Sequence, residues 1–344
     1  MLLRACLAFL LFALWPAHAR AQGARRVAVA VLELGATPAS ARAAERLAKL
    51  LAASGAGGAT TATTATTKAP LKASAAPAMT TAATAMTAKA SESETAMTTI
   101  AVLDRGMSAA AARGVGYAGS LNMTLAEARA LGAALGCDFY LTGDAQTIRR
   151  SSSARPVYFE SYASVFVVSA RTGRLVLWDR PAAEADDARD AEAALLALLD
   201  ARAPAYAAAV AEAAGRDERE RFDARGDAPS SVIDLSTGDG ADANADLREP
   251  APYRRLRPAY TDAAARAEAE ATVDAEVEIG ADGRVGVARV VRWAGFGLDE
   301  EVVSTVRRMR FRPASRDGEP VAVRVLLRYN FRKPAQAGST PAPK

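Results

Sequence analysis

Gly114-Val-Gly116-Tyr-Ala-Gly119 has the spacing of a glycine loop that could cradle a phosphate. That chemistry needs the glycines directly after a strand and opening a helix, so that backbone N–H groups converge on the anion. Here the nearest strand signal ends at Leu103, and the next helix signal begins only at Thr124. The segment therefore reads as a turn-rich loop. Gly114, Gly116, Gly119, Ser120 and Asn122 could still form a nest that holds an anion or a peptide carboxylate. Other chemistry lacks its parts. The only histidine is His18, and the two cysteines are Cys6 and Cys137. Removal of an N-terminal export segment would leave no histidine and one thiol. That excludes a Ser-His-Asp or Cys-His pair, a histidine-held metal, a zinc ribbon and an internal disulfide. Asp242-Ala-Asn244-Ala-Asp246 begins like a calcium loop, but Leu247 stands where glycine is needed and Tyr253 where glutamate is needed. Cys137 reads as core packing, and Trp178 and Trp293 as core or rim. No catalytic residue, cofactor or metal is expected, and the chain reads as a binding protein rather than an enzyme.

The elements around these residues set what can be positioned. With 344 residues, two domains are expected. The balance of 43 basic and 39 acidic residues is too even for a nucleic-acid grip. Met1 to Arg4, the apolar run Ala5 to Trp15, Pro16 and Ala17-His18-Ala19 read as a cleavable signal peptide over residues 1–21. The run is shorter than the roughly 20 residues of a membrane span. The mature chain is thus expected to be periplasmic, without a transmembrane segment.

An α/β domain is expected over 26–214, interrupted by an Ala/Thr-rich insert over 55–99 that lacks the apolar residues to fold. Its strands are read at Val27–Leu34, Ile100–Leu103, Phe139–Thr147, Tyr158–Ala170 and Leu175–Asp179, with Thr172-Gly173 as a hairpin turn. Its helices are read at Ser40–Ala53, at Leu125–Leu135 behind the capping box Thr124-x-x-Glu127, and from Asp186 to Ala214. An acidic, disordered linker is expected over 215–250, and a disordered tail over 334–344.

Val27-Ala-Val-Ala-Val-Leu-Glu33, Leu131-Gly-Ala-Ala-Leu-Gly-Cys-Asp-Phe-Tyr-Leu-Thr-Gly143 and Ser169-Ala-Arg-Thr-Gly-Arg-Leu-Val-Leu-Trp178 resemble the α/β domain shared by the CsgG family and the N-terminal domain of TolB. That resemblance implies a mixed sheet and a role in binding or assembly at the cell envelope.

Residues 257–333 alternate more strictly. Val273, Ala275, Val277 and Ile279 share one face, with Asp274, Glu276 and Glu278 on the other. Asp282-Gly283 turns the hairpin, Leu298 to Arg310 reads as a helix, and Val321 to Phe331 is the last strand. On that strand Val321, Val323, Val325, Leu327, Tyr329 and Phe331 point inward, while Arg324, Leu326 and Arg328 point outward, where the arginines can pair with the acids of the first strand. The run Pro258-Ala-Tyr260, Val273-x-Ala-x-Val-x-Ile279, Asp282-Gly283-x-Val285, Leu298-Asp299, Arg310-Phe311-x-Pro313-Ala314 and Asp317-Gly318-x-Pro320-Val321 resembles the C-terminal domain of the TonB family. The whole is then α+β, ending in an α-β-β-α-β domain with a three-stranded antiparallel sheet. The resemblance implies partners in outer-membrane β-barrel transporters or other envelope proteins. A transporter peptide would join the last strand by β-augmentation. In the other reading that edge is protected or paired in a homodimer, and the domain is an assembly module of an envelope scaffold.

Overall fold

A computed structural model describes residues 25–56, 98–223, 232–236 and 246–333. The expected signal peptide, residues 57–97 of the insert, the calcium-like start Asp242–Ala245 and the expected tail lie outside the described residues.

The N-terminal unit is a three-layer α/β sandwich. In chain order it runs β1 (Arg25–Val31), α1 (Pro38–Ala56), β2 (Thr98–Val102), α2 (Arg105–Gly114), α3 (Leu125–Leu135), β3 (Phe139–Arg150), β4 (Tyr158–Ser169), β5 (Leu175–Asp179), β6 (Ala182–Ala185) and α4 (Ala188–Asp223). The sheet order is β2-β1-β3-β4-β5, with β6 also on β4. The β1 pairings are parallel and the rest antiparallel, so the sheet is mixed. Alternation divides the core. Val27, Val29, Val31, Val165 and Val167 face α1 and α4, whereas Ala30, Leu32, Phe166 and Val168 face α2 and α3.

Two helices depart from expectation. The span after Leu103 contains α2, capped by Asp104, which accepts from the Met107 N–H at 2.8 Å. The final helix does not stop at 214. Its last turns are held by ion pairs to β1 and to the β4–β5 turn: Glu218 with Arg25 at 2.7 Å, Asp217 with Arg171 at 3.0 Å and Glu220 with Arg174 at 2.8 Å. Those acids, read as linker solvation, are contacts. By length and composition α4 is apolar enough to cross a membrane, yet Ala191, Leu195, Leu199, Tyr206 and Val210 are at most 1% exposed beneath it in the sandwich core.

The C-terminal unit continues with β7 (Ile233–Asp234), β8 (Leu247–Arg248), β9 (Ala251–Pro252), α5 (Asp262–Ala267), β10 (Ala271–Ile279), β11 (Val285–Arg292), α6 (Leu298–Arg307), β12 (Phe311–Arg312), β13 (Ala314–Arg316), β14 (Glu319–Val321) and β15 (Val323–Phe331). The hairpin β10–β11 turns at Gly283, where φ is +74° and an added Cβ would sit 2.0 Å from the Phe311 carbonyl oxygen. Val273, Val277, Ile279, Leu298, Val302, Val306 and Phe311 form the core between sheet and α6. The main sheet has four strands, in the order β11-β10-β15-β7, rather than three. Segments 232–236 and 246–250, expected as disordered linker, dock instead: β7 on β15 and β8 on β13, with β9 following on β12.

Candidate functional site

The last strand is bound on one side along its whole length. β10 and β15 run antiparallel from Ala271↔Phe331 to Ile279↔Val323. This register sets Glu278 against Arg324 and Asp274 against Arg328. Both pairs close. Arg324 Nη2 donates to Glu278 Oε1 at 2.7 Å, and Arg328 grips Asp274 with two bonds of 2.7 and 2.9 Å. Arg292 adds a third bond to Asp274 at 3.3 Å, which is how a carboxylate only 3% exposed is tolerated.

On its other side β15 meets, among the described residues, only β7, in parallel, at Val323 and Arg324. The Ile233 N–H donates to the Ala322 carbonyl at 3.1 Å, and the Leu235 N–H to the Arg324 carbonyl at 2.8 Å. The even-numbered residues of β15 thus aim their main-chain groups at this side. By strand alternation Leu326, Arg328 and Asn330 do the same beyond the end of β7, with no strand partner among the described residues. Leu326 is 38% exposed there. Val325, Leu327 and Tyr329 are half-buried against the core, and Val323 and Phe331 are buried.

The glycine loop does different work. Gly114 closes α2, and Gly116 and Gly119 take positive φ of +73° and +88°. Open space lies beside all three where a Cβ would project. Tyr117 Oη donates to the Ser120 carbonyl at 3.0 Å and lies 2.8 Å from Thr142 Oγ1. Asn122 bonds to the backbone of the C-terminal unit. Its Nδ2 donates to the carbonyls of Thr272 (2.8 Å) and Trp293 (2.7 Å), and its Oδ1 accepts from the Thr272 N–H at 3.0 Å. Its side-chain amide thereby mimics a strand neighbour for the start of β10 and clamps the two units together.

Around that clamp the units share a core. The Trp293 N–H donates to the Met123 carbonyl at 3.2 Å, and Trp293 Nε1 to the Gly173 carbonyl at 3.0 Å. The Trp293 ring is 1% exposed, 5.7 Å from the Phe166 ring. Phe296 meets Trp178 at 4.9 Å and Phe166 at 5.8 Å. Beside it Asp299 accepts from the Ala294 and Gly295 N–H groups at 2.9 and 2.8 Å, and burial pushes its carboxyl up to about 6. Sequence reading missed this interface. Its only local signal was an aromatic ending each of two strands, Trp178 and Trp293.

Cys137 is half-buried, and burial pushes its thiol up to about 12, far from a thiolate at neutral pH. Among the described residues no three His, Cys, Asp or Glu side chains converge as metal ligands.

Residues 257–332 match the family model described as Gram-negative bacterial TonB protein C-terminal. No curated protein matches the chain. Similar solved structures include the solution NMR structure of the Pseudomonas aeruginosa TonB CTD, 24% identical, with a TM-score of 0.23 over 30% of this chain and 95% of that one. Another is the hypothetical protein CT253 from Chlamydia trachomatis, 11% identical, with a TM-score of 0.27 over 54% of this chain and 99% of that one. The α-β-β-α-β unit over residues 257–332 is a TonB C-terminal domain.

Proposed function

We propose that the protein works in the periplasm, where the free edge of β15 takes up an extended segment of an outer-membrane β-barrel transporter and so supports transmembrane transport. The observation that carries the reading is the open run of β15 after Arg324. Main-chain groups of Leu326, Arg328 and Asn330 supply affinity, and side chains alternating along the strand supply register. A bare edge of this length invites aggregation, so a chain that keeps one has use for it. The α/β unit, clamped through Asn122 and Trp293, fixes the direction in which the edge is presented.

The test is titration of the full mature chain with labelled peptides from the periplasmic N-terminal segments of outer-membrane transporters. Leu326→Pro removes an edge-facing N–H while leaving the β10 ladder its donors. It should abolish binding with an unchanged circular dichroism spectrum, and Leu326→Ala should bind as the parent does. A folded Leu326→Pro variant that binds like the parent overturns the edge assignment. Concentration-dependent dimerisation abolished by Leu326→Pro would instead favour an assembly module that joins copies of this chain.

A further inference from the structure

We propose that segment 232–236 is an internal occupant of the binding edge: it adds to β15 as a short strand and competes, for the Ala322 and Arg324 carbonyls, with a partner that spans the whole strand. The inference rests on the reading of β15 as the binding edge. Three contacts carry it. Two main-chain bonds, from Ile233 to Ala322 and from Leu235 to Arg324, use the outward carbonyls that an added strand would use. Ile233 and Leu235 are half-buried against the core beneath the sheet. Asp234 takes the Arg324 guanidinium at 3.1 Å, on the side opposite Glu278.

The segment is built to stop there. Asp234 Oδ1 accepts from the Ser236 N–H at 2.9 Å and from Ser236 Oγ at 2.6 Å, a turn that ends the strand at Asp234. Occupancy is therefore confined to Val323 and Arg324 at the start of the edge, and Leu326 to Asn330 stay open for a partner to nucleate on. Segment 232–236 follows α4 within the same chain, so its effective concentration at the edge is on the order of millimolar. A partner spanning the whole of β15 must displace it, and its apparent affinity falls by the fraction of time the edge is free.

Two variants of the full chain release the segment by different means. Ile233→Ser with Leu235→Ser removes its anchors, and Asp234→Arg sets a guanidinium against Arg324 while leaving the anchors in place. With the same labelled transporter peptide, both should tighten binding by about tenfold. Saturating peptide should also speed amide exchange at Ile233 and Leu235 in the parent chain. Peptide binding equal in the parent and both folded variants, with unchanged exchange, overturns the competition and leaves the edge reading standing. If neither parent nor variants bind and no Leu326→Pro effect exists, the edge reading falls and takes the competition with it. Melting temperature and circular dichroism of each variant show that the domain is intact.

Discussion

Replacing Asn122 by alanine tests whether the two units form one cooperative body. The substitution removes three hydrogen bonds between residues 150 or more positions apart, at 2.7, 2.8 and 3.0 Å. Each is worth about 0.5–1.5 kcal/mol net, an upper total of about 4.5 kcal/mol. The site is half-buried, so water recovers part of that loss, and the Asn122 carbonyl still accepts from Arg292 at 3.0 Å. The expected cost is about 2 kcal/mol, or a fall in melting temperature of about 4–8 °C for a body of this size. Asn122→Asp should be worse. It keeps the acceptor for Thr272 but sets a carboxylate against two carbonyl oxygens that now meet a donor. Trp178 and Trp293 flank the interface, so urea unfolding followed by their fluorescence reports on it directly. The parent should unfold in one transition, and the variants at a lower midpoint or in two. A parental midpoint for both variants would mean that the units merely touch.

Three further outcomes follow from other contacts. Gly173→Ala should cost about 2 kcal/mol or more, because φ is +72° there and the new Cβ would fall 2.2 Å from the Leu125 carbonyl oxygen; chemical denaturation checks it, and a neutral result refutes the packing. Asp299 should make stability fall as pH rises: its folded pKa lies above the ordinary carboxylate value, so its contribution is full below about pH 4 and is lost through about 6, up to about 3 kcal/mol. The difference in unfolding free energy between the parent and Asp299→Ser should therefore change between pH 4.5 and 6.5, and a flat difference would refute the burial argument. Replacing residues 57–97 by a short Gly-Ser linker should shift the melting temperature by less than about 5 °C, since α1 and β2 are complete at Ala56 and Thr98; a larger drop in a thermal melt would mean that the insert packs.

Much of the fold was legible because its signals are local. The alternation of β10, the Asp282-Gly283 turn and the Thr124–Glu127 capping box each specify an element within a few residues. Helix α2 was hidden because Ala109 to Ala112 give no apolar stripe, and its support comes from Asp104 and from packing beside α3. β7 was hidden because Ile233-Asp-Leu235 is too short to overcome an acidic neighbourhood in any local reading; a sheet edge far along the chain selects it. The same distance problem governs the site. Alternation placed Arg324 and Arg328 outward beside the acids of β10, and the register assigns them Glu278 and Asp274; Asp234, from a segment read as linker, had no local signal. Asn122 looked like a ligand residue for a similar reason: one polar side chain in a glycine-rich loop gives no hint of what stands 150 residues away.

The strand order separates two kinds of surface. The C-terminal unit docks near the β4–β5 turn, through Gly173 and Trp178, whereas the chain leaves α1 and returns at β2, the opposite margin of the sheet. Gly55 lies so close over β2 that an added Cβ would come within 2.0 Å of the Ile100 carbonyl oxygen, so α1 already packs on β2 at its last turn. That margin works as a service port. A change of length or sequence between Ala56 and Thr98, or a fluorophore or affinity handle spliced in there, should leave the Asn122 clamp untouched.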